Sequence, residues 1–312
     1  MNPLLVILGP TASGKTNLAC QVALKYSGEI ISADSRQVYR RMDIGTGKDI
    51  EEYTTEGIKI PYHLIDIVEP GTKYHIGQFQ LDFIEAYHHI RQKQHLPILC
   101  GGSGLYLETA IEGQSFLGIK KNKALRDELE KLNDKELLKE VKKVDADILD
   151  MLTVQTRDRK IRAIEIQEYL RQHPDHNPAK VPQMDVCIIG VDIEREARRN
   201  KITTRLRKRL KEGMVEEVEN LLNEGLSHEV MEYYGLEYKW ISLYLQGEVD
   251  YTQMFEKLEI AIHQFAKRQM TWFRGMERKG YSIHWLDYSQ PMEEKINFVQ
   301  EKMRSILNFN HS

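Results

Sequence analysis

The sequence predicts an α/β fold: a mostly parallel sheet flanked by helices and interrupted by an all-helical insertion. Three observations carry the prediction. Short apolar runs recur, each followed by glycine or polar residues and then by helix-compatible sequence. The stretch from Lys120 to Leu170 contains no such run and reads throughout as charged, amphipathic helix. A glycine-rich loop, GPTASGKT, closes the first apolar run at residues 9–16.

The strands follow in chain order. Leu4–Leu8 is a short apolar run that ends in a glycine turn, and NLACQVALKY behind it is compatible with a helix. Ile30 and Ile31 in GEIISADS form the second run, Leu96–Cys100 before the Gly101–Gly102 pair the third, and QMDVCIIGVDI (183–193) the fourth. Alternating strands and helices argue for a parallel sheet whose working residues gather beyond the strands' carboxyl ends. Strand-like runs on both sides of the charged middle make that middle an insertion, placed at 114–186, in a core formed by 1–113 and 187–312. Three prolines in HPDHNPAKVP mark the return to the core. The last third is helical up to GYSIHWLD (280–287), which can form one more strand.

At 312 residues the chain can bury a core as one large domain or two smaller ones. Its 41% hydrophobic and 29% charged residues are ordinary for a soluble globular protein. Cys20, Cys100 and Cys187 are far apart and lie in or beside apolar runs, so buried thiols in a reducing cytoplasm are expected. The run LLVIL is too short for a signal peptide or a membrane span, and no membrane partner is expected.

Gly9-Pro10-Thr11-Ala12-Ser13-Gly14-Lys15-Thr16 matches GxxxxGK[ST], the ATP-binding signature, in its required context of strand before and helix after. The fold is therefore expected to be of the phosphate-loop NTPase type. Backbone N–H groups close around phosphate oxygens, a helix N-terminus adds partial positive charge, Lys15 neutralises terminal oxygens, and Thr16 would hold Mg²⁺. The motif specifies phosphate, not nucleotide. Asp34 follows the second strand, where it either faces the loop across a cleft or caps a following helix. The turn Gly101-Gly102-Ser103-Gly104 either lets backbone approach a ligand, with the Ser103 hydroxyl beside it, or simply joins strand to helix. Asp66 and Asp192 are the candidates for a metal-holding acid in the manner of nucleotide hydrolases.

The formal net charge is −3, yet cations are concentrated. REARRNKITTRLRKRLK (195–211) has nine Lys/Arg against one acid; QTRDRKIR (155–162) has four, and AKRQMTWFRGMERK (266–279) adds more beside Trp272 and Phe273. Any one such run is ordinarily a solvated helix face. Three in a net-acidic chain point to a polyanion surface.

Taken together these segments resemble the tRNA dimethylallyltransferases, also called tRNA isopentenyltransferases, of bacterial type. GPTASGKT, ISADSRQVYRRMDIGTGK, PYHLIDIVEP, PILCGGSGLYL, EGMVEEVENLL, YYGLEYKW and QFAKRQMTWFR occur in that family's order and spacing, nearly end to end. The resemblance implies transfer of the dimethylallyl group from dimethylallyl diphosphate to N6 of the adenine 3′ of the anticodon. The phosphate loop, Thr11 to Thr16 in particular, then holds a diphosphate leaving group, with Mg²⁺ as cofactor and the tRNA anticodon stem-loop as partner. It further implies Asp34 as general base, Arg205 on the diphosphate, and Ser103 positioning the amine where the family usually has threonine. Contacts to tRNA are implied at Asp34, Ser35, Arg36 and Gln37, at Arg126, at Asp158, Arg159, Lys160, Ile161 and Arg162, and across Tyr233, Tyr234, Gly235, Leu236, Glu237 and Tyr238. The rivals are a nucleotide or small-molecule kinase, an NTP-driven RNA-binding switch, and an enzyme prenylating free adenine nucleotide. The helical insertion and basic stretches argue against the last. A monomer is the default expectation.

Overall fold

The computed structural model describes residues 2–114, 116, 118–152, 154–177 and 180–307. Pro178 of the expected return segment lies outside them. Strand β1 (Pro3–Leu8) runs through the phosphate loop into helix α1 (Lys15–Tyr26), followed by β2 (Gly28–Ser32). A 3-10 turn (Ile50–Tyr53), a hairpin of β3 (Thr54–Thr55) and β4 (Ile58–Lys59), and β5 (Tyr62–His63) lead to α2 (Ile76–Gln92). Then come β6 (Leu96–Gly101) and α3 (Gly104–Glu112).

The insertion carries α4 (Lys123–Glu130), α5 (Asp134–Val141), α6 (Ala146–Leu152) and α7 (Arg157–Gln172). The chain returns through β7 (Asp185–Asp192), α8 (Arg195–Lys211), α9 (Met214–Asn223), α10 (His228–Tyr234), α11 (Leu236–Leu245), α12 (Tyr251–Arg278), β8 (Ile283–Asp287) and α13 (Met292–Leu307).

Six strands form one sheet in the order β5-β2-β6-β1-β7-β8, and every pairing in it is parallel. The all-apolar Leu4–Leu8 suits its place between β6 and β7, because a parallel strand is buried on both faces. Its side chains alternate. Leu4, Val6 and Leu8 enter the core under α2, α3 and α8–α12, while Leu5 and Ile7 enter the core under α1 and α13. The phosphate loop, Asp34 and Ser103 thus follow the carboxyl ends of β1, β2 and β6. β6 stands between β1 and β2, so Asp34 is two strands from the phosphate loop and not on a neighbouring strand as the cleft reading supposed.

Residues 114–180 form a compact unit of their own, distinct from 1–113 and 181–312. The boundary differs from the expected 186/187 because Asp185 already pairs with Pro3 of β1. Within the insertion, Ile119, Val144, Ile148, Ala163 and Ile166 make one apolar cluster and Leu129, Leu137 and Ile161 a second. No helix among the described residues is long and apolar enough to cross a membrane.

Candidate active site

A cavity of about 900 Å³ opens over the carboxyl ends of the strands. Its lining brings together Thr11, Ala12, Gly14, Lys15 and Thr16; Asp34, Ser35, Arg36 and Gln37; Ser103; Arg205; and Tyr234, Gly235, Leu236 and Glu237. Of the residues implied in the core, Gly9, Pro10, Ser13, Tyr233 and Tyr238 are not part of that lining.

The phosphate loop takes its shape from positive backbone angles at Ala12 (φ 64°) and Gly14 (φ 83°), the latter at the start of α1. Gly9 lies against Ser13, so a side chain at Gly9 would collide with the Ser13 hydroxyl. Burial pushes the Lys15 ammonium below its ordinary range, and Arg205 adds to this, while Asp34 and Glu52 pull the other way. The thiol of Cys100, pushed up to about 12 by burial, hydrogen-bonds the Thr16 side chain. Cys100, next to last in β6, pairs opposite Ile7 of β1, so a thiol and not a carboxylate stands beside Thr16. Asp66 is instead ion-paired to the buried Lys48, and neither Asp66 nor Asp192 lines the cavity.

No helix follows Asp34, which removes the capping alternative. Asp34 Oδ1 accepts the Arg36 backbone N–H at 2.8 Å in a local turn, and no described residue hydrogen-bonds Oδ2. The loop from Asp43 to Asp49, which lines the cavity with Gly45, Thr46, Gly47 and Asp49, is held from outside. Glu217 accepts the backbone N–H groups of Asp43 (2.7 Å), Ile44 (2.7 Å) and Gly45 (2.9 Å), and Lys48 donates to Tyr39 O at 2.6 Å. Gln37 is committed to this frame as well, donating to Gly47 O at 3.0 Å.

Arg205 and Arg209 project from α8. Arg205 Nη2 donates to Thr11 Oγ1, and its Nη1 lies 4.0 Å from Asp49. Its side chain, about a third exposed to the cavity (35%), has its pKa lowered to about 10 by burial and by Arg209. Arg209 donates to both Asp49 oxygens, at 2.9 and 2.7 Å, with its guanidinium lying over Gly47. Gly47 has φ 65° and no room for a side chain, so both its backbone and its missing Cβ are required. Burial raises the carboxyl of Glu52, whereas at Asp49 the arginines outweigh burial and lower it.

Two lining residues, Arg209 and Gln269, went unnoticed in the sequence. Each occupies a buried helical stripe otherwise made of apolar groups: Ile202, Leu206, Arg209 on α8, and Ile262, Ala266, Gln269, Phe273 on α12. A polar residue in phase with such a stripe was the available signal. Gln269 bridges Thr11 and Gly102, as taken up below.

Other implied positions fall differently. Tyr238 is fully buried and donates to Glu217 at 2.7 Å, so its side chain is structural. Tyr233 donates to Tyr74 O at 2.7 Å and carries the Arg36 guanidinium 4.9 Å above its ring. In the insertion, the Ile161 side chain is buried in the core, not available to RNA. Arg126 pairs with the buried Glu165 at 2.7 Å and with Asp158, while Arg162 donates to the carbonyls of Ile119 and Lys120. Asp158 and Arg159 are exposed and Lys160 is half-buried on α7.

Fold and site together define an α/β enzyme of the phosphate-loop class, with a carboxylate and a hydroxyl facing a cationic loop across one cavity. The IPP transferase family profile matches residues 37–276, and the chain belongs to that family. It is 54% identical over 301 residues to the tRNA dimethylallyltransferase 2 of Bacteroides fragilis, covering 96% of this chain and 98% of the relative. The full-length tRNA isopentenylpyrophosphate transferase of Bacillus halodurans superposes with a TM-score of 0.72 at 29% identity, over 99% of both chains. A eukaryotic dimethylallyltransferase acting on tRNA shares the fold, with a TM-score of 0.72 at 21% identity over 99% of this chain and 81% of its own.

Proposed function

We propose that the protein transfers the dimethylallyl group of dimethylallyl diphosphate to N6 of the adenine 3′-adjacent to the anticodon of tRNA, releasing diphosphate. The observation that carries this reading is the single cavity in which Lys15, Thr16 and Arg205 line one part, and Asp34 and Ser103 another. Family membership supplies the reaction class.

The exocyclic adenine amine is a weak nucleophile. Asp34 Oδ2, which no described residue engages, accepts its proton as the carbon–nitrogen bond forms, and the Ser103 hydroxyl orients the amine. Negative charge builds on the departing diphosphate, where Lys15, Arg205 and the amides at the start of α1 face it. An adenine stacked in the anticodon loop is extruded to reach the cavity, as base-modifying enzymes require. On α7 the exposed Arg159 and the half-buried Lys160 meet RNA phosphates, with Asp158, paired to Arg126, beside them.

Among the described residues no group of three or more His, Cys, Asp or Glu side chains could hold a metal. The Thr16 hydroxyl, held by Cys100 at the cavity wall, suits Mg²⁺ as a protein ligand if diphosphate oxygens and water complete the octahedron. Such an ion would neutralise charge on the leaving group. Neither Asp66 nor Asp192, the acids that the sequence offered for a nucleotide-bound metal, lines the cavity, which disfavours the NTP-driven reading. Three buried free cysteines and a tRNA substrate fit the cytoplasm.

Incubation with labelled dimethylallyl diphosphate and either bulk tRNA or AMP tests the proposal. Label in tRNA is the expected result; label in AMP alone, or tRNA-stimulated ATP hydrolysis without transfer, would overturn it.

A further inference from the structure

We propose that Gln269 is a positioning residue that sets the distance between leaving group and nucleophile, resting on the transfer reaction proposed above. Gln269 rises from the middle of α12 and is 8% exposed. Its Oε1 accepts the Thr11 backbone N–H at 2.8 Å, and its Nε2 donates to the Gly102 carbonyl at 3.0 Å. The partners fix the amide orientation, since an N–H can meet only the oxygen and a carbonyl only the NH₂ group.

One side chain thereby joins the two loops that carry the chemistry. Thr11 belongs to the phosphate loop and receives Arg205 on its hydroxyl, while Gly102 precedes Ser103. The fit is close: a Cβ on Gly102 would overlap Gln269 Nε2, so glycine is required where the amide passes. The Thr11 amide is also consumed by Gln269, which leaves phosphate oxygens to the amides nearer the start of α1. β1 and β6 fix their own register, with Leu8 opposite Gly101, but the loops beyond them have no such ladder. Gln269 closes the gap one residue past β6 and three past β1. Displacement of reacting groups by about 1 Å can cost on the order of 10²-fold in rate, so this bridge acts on kcat through the two loops that it joins.

Gln269→Glu tests the bridge with a signature that mere packing lacks. A carboxylate still accepts from Thr11 but repels the Gly102 carbonyl, whereas the protonated acid restores both hydrogen bonds. We expect kcat for Gln269→Glu to fall roughly 10²-fold relative to wild type at pH 8. The variant-to-wild-type ratio should climb as pH is lowered, with KM for dimethylallyl diphosphate within a few-fold. Gln269→Met, which fills the space and lacks both bonds, should lose kcat at every pH with no recovery. A flat ratio for Gln269→Glu, or an effect confined to KM, refutes the positioning role. Should Gln269→Glu fail to fold, Gln269→Met decides: unchanged kcat refutes the role, and a roughly 10²-fold loss in kcat at unchanged KM supports it. Transfer by the wild-type protein is measured first, so failure of the reaction itself is seen separately from failure of the bridge.

Discussion

Replacing Arg205 with lysine keeps a cation in the cavity and removes a geometry. The planar guanidinium holds Thr11 Oγ1 through Nη2 while its Nη1 lies 4.0 Å from Asp49, leaving a fork aimed along the phosphate loop. An ammonium cannot grip two diphosphate oxygens in that way. Charge-assisted hydrogen bonds of this kind are worth about 1.5–3 kcal/mol, so kcat/KM for dimethylallyl diphosphate should fall roughly 10–150-fold.

The surroundings add a pH dependence. They lower Arg205 to about 10 from an ordinary 12.5, so the arginine keeps its charge up to about pH 9. A lysine starts near ~10.4 and, with part of the same burial cost, titrates between ~8 and ~10. Deprotonation removes its charge, so kcat/KM for Arg205→Lys should begin to decline near pH ~8, well before the wild type does. The assay is steady-state transfer to tRNA, varying each substrate in turn from pH 7 to 10. A variant whose defect lies only in the tRNA dependence, or whose pH profile parallels the wild type, would place Arg205 off the leaving group.

Asp34→Asn should reduce turnover by roughly 10²–10⁴-fold with little change in tRNA binding, read by single-turnover kinetics and filter binding; near-normal turnover would leave Asp34 only its turn at Arg36. Glu29, 1% exposed, is held down to about 2 because hydrogen bonds from His63, His95 and Lys93 outweigh burial, which alone would raise it. A depressed acid stabilises fully above its ordinary 4.5 and loses that stability as pH falls toward about 2, so Glu29→Gln should unfold more easily at pH 7 and show a shallower acid limb in thermal melts. In the insertion, Arg157→Ala and Arg162→Ala should lower the melting temperature while leaving the salt slope of tRNA binding unchanged. Lys160→Ala should flatten that slope by about 1.

The sheet was legible because parallel strands buried on both faces appear as continuous apolar runs, as Leu4–Leu8 and Leu96–Cys100 do. β5 and the β3–β4 hairpin are two-residue strands, too short to carry any period. Strand order was not legible either, since the position of β6 between β1 and β2 depends on contacts distant in sequence. The phosphate loop was legible because its local motif announces it, whereas Asp34 and Ser103, ambiguous in their local sequence, were singled out by the family resemblance; all line the cavity. Lys48, Arg209 and Gln269 were not, because a lone polar residue looks solvated until its distant partner is known. Lys48 has its side chain fully buried between Asp43 and Asp66. The basic run on α7 shows the opposite case: Arg157 donates to the carbonyls of Leu129, Glu130 and Leu132 and so ties helix ends together.

The cavity's own acids explain how a chain of net charge −3 keeps a site for polyanions. Burial works against the charge on Lys15 and on Arg205. Asp34 and Glu52 offset this at Lys15; Asp49, Glu237 and Glu52 offset it at Arg205. These carboxylates favour the charged form of both cations. Their anchoring differs, however. Asp49 is fastened to Arg209, not to Arg205, which stands 4.0 Å away. Arg205 can therefore turn its fork to an incoming diphosphate without breaking the ion pair that holds the 43–49 loop. On the proposed reaction, two arginines one helical turn apart divide the work, Arg209 neutralising the fixed acid and Arg205 remaining for the diphosphate. That division requires both on one face of α8, which their i, i+4 spacing supplies.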